Sequence, residues 1–210
     1  MPPEPLRKRA VVFFDGQNVF HTAKELWGHS FPNYDPLALS RLVCARESWR
    51  LHEVRFYTGV PSNKYDARWH GFWSRKIAHM GQQGVFCFTR QLRYHQEEVV
   101  LGDGSRHAIH IGREKGIDIR IALDVIRLAQ ARVFDVAVIF SQDSDLSEVA
   151  AEIRRLARDQ NRWVKMASAF PYDAKRPRRG IDRTDWLPIS RAEYDSCLDP
   201  TDYRETRDCC

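Results

Sequence analysis

The apolar run from Val136 to Phe140 has the length of a strand and no polar face, the pattern of a strand buried on both sides in a parallel sheet. It ends in Ser141-Gln142-Asp143-Ser144-Asp145, and a helical spacing of Leu146, Val149, Ala150, Ile153, Leu156 and Ala157 follows, with Ser144 expected as its cap. A second such run, Ala10 to Phe14, ends in Asp15 and leads into a helix that reaches about Trp27 and is closed by Gly28. Between these runs the pattern predicts a short helix over Leu37 to Arg46 and a strand over Leu51 to Val60. A helix capped by Asn63 and stopped at Gly81 should follow, its core face carrying Trp69, Phe72, Trp73, Ile77 and Met80. Gly84 to Phe88 reads as a strand. Two-residue alternation then continues to Tyr94, and the stretch to Ile111 reads as a hairpin turning at Gly102-Asp103-Gly104. A helix opens near Glu114-Lys115-Gly116-Ile117-Asp118 and runs to about Ala131. Trp163 to Phe170 and Asp185 to Ile189 complete the strands, and the residues from Cys197 onward show no core pattern. Strands alternating with helices predict an α/β domain over residues 9–190, its mostly parallel sheet covered by helices on both faces, followed by a C-terminal helix and tail over 191–210.

Composition narrows the class without naming a function. A chain of 210 residues that is 43% hydrophobic and 29% charged can bury a full core. No window reaches membrane-span length, and the charged segment Met1 to Arg9 leads into no signal segment. The expected location is therefore cytoplasmic. The five cysteines form no C-x-x-C pair, which argues against a disulfide framework or structural zinc. A net charge of +5 leans toward a polyanionic partner.

The candidate chemistry lies at the strand ends. Ligands of open α/β sheets bind beyond the carboxyl ends of the strands, where Asp15, Asp143 and Asp145 are expected. At 100° per residue, Asp118 falls on the apolar arc of its helix, a costly place for a carboxylate unless it faces a cation. Asp124 falls with Arg120 and Arg127 on a stripe that reads as solvated. Converging carboxylates without matching cations repel, and Mg²⁺ or Mn²⁺ relieves that repulsion. Such an ion makes water a better nucleophile and offsets charge on phosphate oxygens, so the chemistry it suits is phosphodiester hydrolysis. Asn18 is a candidate to orient water or phosphate, and Ser141 and Lys115 are candidates to bind phosphate. The run Lys175-Arg176-Pro177-Arg178-Arg179, without acids nearby in sequence, is a candidate phosphate contact. His95, His107 and His110 read as polar residues at a sheet edge.

Three segments together resemble the motifs of the NYN domain in its LabA-like branch, a relative of the PIN nucleases: Val11-Val12-Phe13-Phe14-Asp15-Gly16-Gln17-Asn18, Lys115-Gly116-Ile117-Asp118 and Ile139-Phe140-Ser141-Gln142-Asp143-Ser144-Asp145. Asp185-Trp186-Leu187-Pro188-Ile189 is similar to that branch's terminal strand. The resemblance implies a PIN-like three-layer α/β/α sandwich with a β-hairpin extension and a Mg²⁺- or Mn²⁺-dependent ribonuclease acting on single-stranded or structured RNA. It implies Asp15, Asp118 and Asp143 as metal-binding acids, Asp145 as a fourth catalytic acid and Asn18 as a supporting residue. Gln142 departs from the family, which usually has a small Gly or Asn there. The long segment from Arg90 to Ile111 is a candidate for substrate selection or a homodimer contact. Two alternatives stand beside the nuclease. A regulator could keep the fold and bind RNA or protein without cleaving. A phosphatase is weakened by the lack of an Asp-x-Asp-x-Thr pattern after the first strand.

Overall fold

The computed structural model describes residues 2–100, 102 and 106–204. In chain order the elements are β1 Arg9–Asp15, α1 Gly16–Trp27, α2 Pro36–Arg46, β2 Arg50–Val60, α3 Ala67–Gln82 and β3 Phe86–Gln91. A hairpin of β4 Arg93–Val100 and β5 Arg106–Arg113 follows, then α4 Ile117–Gln130, β6 Val136–Phe140, α5 Ser147–Asp159, β7 Lys165–Pro171, β8 Asp185–Ile189 and α6 Arg191–Asp195. Six strands form one sheet in the order β3-β2-β1-β6-β7-β8, and every neighbouring pair is parallel. The hairpin forms a separate antiparallel pair. This is the expected three-layer sandwich with a hairpin extension. The hairpin's expected turn lies mostly outside the described residues, as do Cys209 and Cys210.

Strand alternation builds the two cores. Ala10, Val12 and Phe14 of β1, with Val54, Phe56, Val136, Val138 and Phe140, face α1, α2 and α3. Val11, Phe13, Ala137 and Ile139 point the other way, onto α4 and α5. The central register is held by Phe14 against Phe140, whose rings stack with centroids 4.2 Å apart. Truncating Phe14 to alanine would cost about 3–5 kcal/mol. Trp69, Phe72, Trp73, Ile77 and Met80 do belong to the core face of α3.

Several local expectations are corrected. The cap of α3 is Asp66, whose side chain accepts from Trp69 N–H, not Asn63. That helix runs past Gly81 to Gln82, and the left-handed glycine that ends it is Gly84. Asp143, not Ser144, caps the turn after β6, a 3₁₀ turn over Ser144–Leu146 that precedes α5. The segment after α6 also joins the core, because Cys197 and Tyr203 are buried there. Its anchor is Lys76, fully buried on α3, which donates to the Tyr34 carbonyl at 2.9 Å and to Asp199 at 3.2 Å. A buried ammonium has to be paired, and the pairing lies too far along the chain to read from periodicity.

Candidate active site

β1 and β6 are neighbours, yet the chain leaves them in opposite directions across the sheet. That reversal opens a crevice at the carboxyl ends of the two strands, the place where α/β sheets bind ligands. Asp15 ends β1, one position beyond the Phe14–Phe140 register pair, so it faces Ser141. Asp15 is 7% exposed, and its Oδ1 accepts from Asn18 N–H at 3.1 Å, capping α1. Asp15 thus caps α1 while standing at the strand end where the pattern places a candidate acid.

Ser141 joins the two strand-end acids. Its buried hydroxyl donates to Asp15 Oδ2 at 3.4 Å and accepts from Asp143 N–H at 3.2 Å. Its contacts are with the acids' own framework. Asp143 Oδ1 accepts from Asp145 N–H at 2.9 Å, while the Asp145 side chain is exposed. Asp118 stands half-buried in the first turn of α4. The arc assigned to its helix is not wholly core, because Ile119 and Leu123 are exposed.

Glu114 is a further acid that the sequence pattern did not single out. It lies just before the Lys115-Gly116-Ile117-Asp118 motif, and its carboxylate accepts from Gly59 N–H at the end of β2. Burial pushes the Asp15 carboxyl up to about 6, with the charges of Asp143 and Asp118 adding to the effect against the Asn18 and Ser141 hydrogen bonds. Burial pushes Glu114 up to about 7, helped by the charges of Asp15 and Asp118. Burial first, and the neighbouring acids after it, disfavour ionisation here, a setting that a bound cation would relieve. The crevice's donors are hard oxygens, as Mg²⁺ and Mn²⁺ prefer. Among the described residues no three acidic, histidine or cysteine side chains are grouped closely enough to hold an ion by themselves. The arrangement fits an ion held by one or two carboxylates, with water and phosphate completing its shell, which is how Mg²⁺ is commonly bound.

Asp124 contrasts with this site and corrects the solvated reading of its stripe. It is 1% exposed, accepts from the Tyr57 hydroxyl at 2.8 Å, and is ringed by Arg120 at 2.9 Å and by Arg55 and Arg127 at 3.5 Å.

The basic segment lies against α1 near Glu25, and its Arg179 carbonyl reaches Gln142 beside the crevice. Arg178 pairs with Glu25, and Arg176 donates to the Glu25 carbonyl at 2.9 Å, so the acidic counterpart missing from the local sequence is Glu25. The side chains of Lys175 and Arg179 have no partner among the described residues. Gln142 ties this loop to the acids. Its backbone N–H donates to Asn18 Oδ1 at 3.1 Å, its Oε1 accepts from Thr22 at 3.2 Å and its Nε2 donates to the Arg179 carbonyl at 2.7 Å. Ser168 adds a second tie, donating to the Ser141 carbonyl at 2.9 Å and accepting from Ile181 N–H at 3.1 Å. A glycine or asparagine at position 142 could not span this gap. Lys115 is exposed at the start of α4. A recess of about 560 Å³ between α5 and the starts of β7 and β8 lies at the other end of the strands, away from the acids.

A doubly wound α/β sandwich with acids at its switch point is an architecture that nuclease-like domains use. The chain belongs to the NYN domain family, whose model matches residues 9–168, and that family is typically made of nucleases of PIN-like type. Among solved structures, the chain is similar to a protein of unknown function from Vibrio parahaemolyticus. Identity is 18%, the TM-score is 0.53, and the match covers 91% of this chain and 98% of the other, so the likeness is one of fold. MurG from Acinetobacter baumannii matches at 10% identity over 87% of this chain and 45% of that one, with a TM-score of 0.32, too low to bear on function. No curated protein matches the chain. Among the described residues no helix is long and apolar enough to cross a membrane.

Proposed function

We propose that this chain is a Mg²⁺- or Mn²⁺-dependent ribonuclease of the LabA-like branch, working in the cytoplasm on RNA phosphodiester bonds. The observation that carries this reading is Asp15, buried beside Asp143 through a shared serine, with acids and, among the described residues, no cation paired to it. Asp15 and Asp143 would hold the ion, with Asp118 close by on α4. When bound, the ion supplies a stronger water nucleophile and offsets charge on the phosphate.

The chain's own residues do the rest. Ser141 fixes the spacing of the two acids and acts through them rather than on the substrate. Asn18 accepts from Gln142 N–H and keeps its Nδ2 group without a partner among the described residues, so that group can donate to a phosphate oxygen. Lys115 on one rim and Lys175 and Arg179 on the other bind phosphates, while Arg176 and Arg178 anchor their loop to Glu25. Asp145 contributes its backbone N–H to Asp143 and a charge at the start of the 3₁₀ turn.

The competing reading is an RNA-binding regulator that keeps the fold without cleaving; among the described residues the acids form no three-ligand cluster. Incubating purified protein with a varied RNA panel, with and without Mn²⁺, separates the two. We predict metal-dependent cleavage that Asp15→Asn and Asp143→Asn abolish with the fold intact. Wild-type protein that binds these RNAs but leaves them whole in Mn²⁺ and Mg²⁺ would establish the regulator instead.

A further inference from the structure

The crevice and the basic loop leave one cluster of rings without a role. Tyr65 and Tyr94 belong to neither core. Their rings stack with centroids 4.1 Å apart at 29°, and His110 lies 4.9 Å from Tyr65 at 31°. Lys64 Nζ stands 5.3 Å from the centre of the Tyr65 ring. Three separate segments contribute: the loop between β2 and α3, and both strands of the hairpin. Tyr94 fixes the arrangement by accepting from Ser62 N–H at 3.0 Å. Gly112 makes room for it, since a Cβ there would meet the Tyr94 ring at 3.0 Å. The rings border an open recess of about 450 Å³, walled also by Pro61, Leu92 and Ile109. Tyr65 remains 41% exposed although it stacks on Tyr94 and lies tilted against His110.

The ledge lies at the same edge of the sheet as the acids. Gly59, whose N–H donates to Glu114, is three residues from Ser62, about 10 Å of extended chain. An RNA strand crossing the acids would reach the rings within a few nucleotides.

We propose that Tyr65, backed by Tyr94 and His110, is a stacking subsite for an unpaired base of single-stranded RNA, with Lys64 meeting the adjacent phosphate. The proposal rests on the ribonuclease reading and adds the substrate's strandedness to it. An aromatic ring accepts any base, because every base has a π face, whereas bases inside a duplex are already stacked and out of reach. The positive charge of Lys64, without an acidic partner among the described residues, beside exposed rings suits a base and phosphate better than it suits an apolar protein surface.

The test is fluorescence anisotropy in chelator, so that the strand is not cut. The probes are a labelled single-stranded RNA of about twelve nucleotides, the same strand with abasic positions, and its duplex. Wild type should bind the intact single strand at least about fivefold tighter than either of the others, the low end of the roughly fivefold to hundredfold effect of one stacked base. Tyr65→Ala should lose that preference and bind intact and abasic strands equally, and Tyr65→Trp should restore it. Because the side chain is exposed, both variants should fold. Wild type indifferent to abasic positions, or Tyr65→Ala that keeps the preference, would overturn the ledge, and the ribonuclease reading would survive if Mn²⁺-dependent cleavage persists. Wild type that neither binds nor cuts any RNA would overturn both.

Discussion

Asp124 is surrounded by cations, and Asp15 is surrounded by other acids. Both side chains are almost fully buried, and both are placed by regular elements of the same sheet-and-helix framework. At Asp124 the protein supplies three arginines and a tyrosine hydroxyl from β2 and α4, and the buried charge is neutralised within the fold. At Asp15 it supplies Asp143, Asp118 and Glu114, and the charge is left standing. A buried carboxylate that persists without a cation usually shifts its pKa upward, and Asp15 and Glu114 do so. The difference is one of surroundings, with cations beside one buried acid and further acids beside the other. The fold pairs an acid at Asp124, and the proposed function reads the unpaired crevice as the place where a cation would bind.

The largest expected effect breaks the paired site. Asp124→Leu leaves three arginines and the Tyr57 hydroxyl facing a buried apolar group, and should destabilise the protein by about 3–5 kcal/mol in denaturant unfolding. A loss below about 1 kcal/mol would mean that the cations around Asp124 contribute little. The unpaired site should respond with the opposite sign. Asp15→Asn keeps an α1 cap, since asparagine caps as well as aspartate, and should raise stability near pH 7.5 by on the order of 1–3 kcal/mol. The sign follows from the raised pKa. In the ion-free wild type, the contribution from Asp15 is full below its ordinary value of 3.8 and is lost as pH rises through about 6. For Glu114 the corresponding window runs from 4.5 to about 7. Unfolding curves between pH 4 and 8 should therefore fall less steeply for Asp15→Asn than for wild type. A steeper fall in the variant would reverse the argument.

Divalent ions should sharpen the contrast. Mn²⁺ at ten times its dissociation constant should stabilise wild type by about 1.4 kcal/mol and leave Asp15→Asn nearly unchanged, as read from melting temperatures in a titration. Equal stabilisation of both proteins would place the ion elsewhere. The smallest effect concerns Gln142. Replacing it with alanine removes the hydrogen bonds to Thr22 and to the Arg179 carbonyl, and should weaken RNA binding about two- to fivefold at low salt. Unchanged affinity would show that the basic loop holds its place without this tie.

Much of this was legible in the chain because strand-end acids follow directly from periodicity. Asp15 and Asp143 sit next to apolar runs that can only be buried strands, and parallel packing puts their carboxyl ends on one edge. Asp118 came from helical angle. Helical angle also misplaced Asp124, because a helix's own residues cannot show that Arg55 and Tyr57 of β2 cover that stripe. Glu114 escaped for a similar reason. Its partner Gly59 lies far off on β2, and no local spacing marks a lone glutamate ahead of Lys115-Gly116. Gln142 stood out as an odd residue in a turn, but what its length is for depends on where the loop over 175–180 returns. The short-range pattern thus carries the acids, and the long-range fold carries what surrounds them.

The central claim is that the crevice beside Asp15 and Asp143 takes a divalent cation that the rest of the domain does not. An anomalous difference map from crystals soaked in millimolar Mn²⁺ tests it directly. The account predicts a peak within coordination reach of Asp15 and Asp143, none at Asp124, and loss of the peak in Asp15→Asn. A well-diffracting soaked crystal with an empty crevice, or with Mn²⁺ bound only elsewhere, would contradict it.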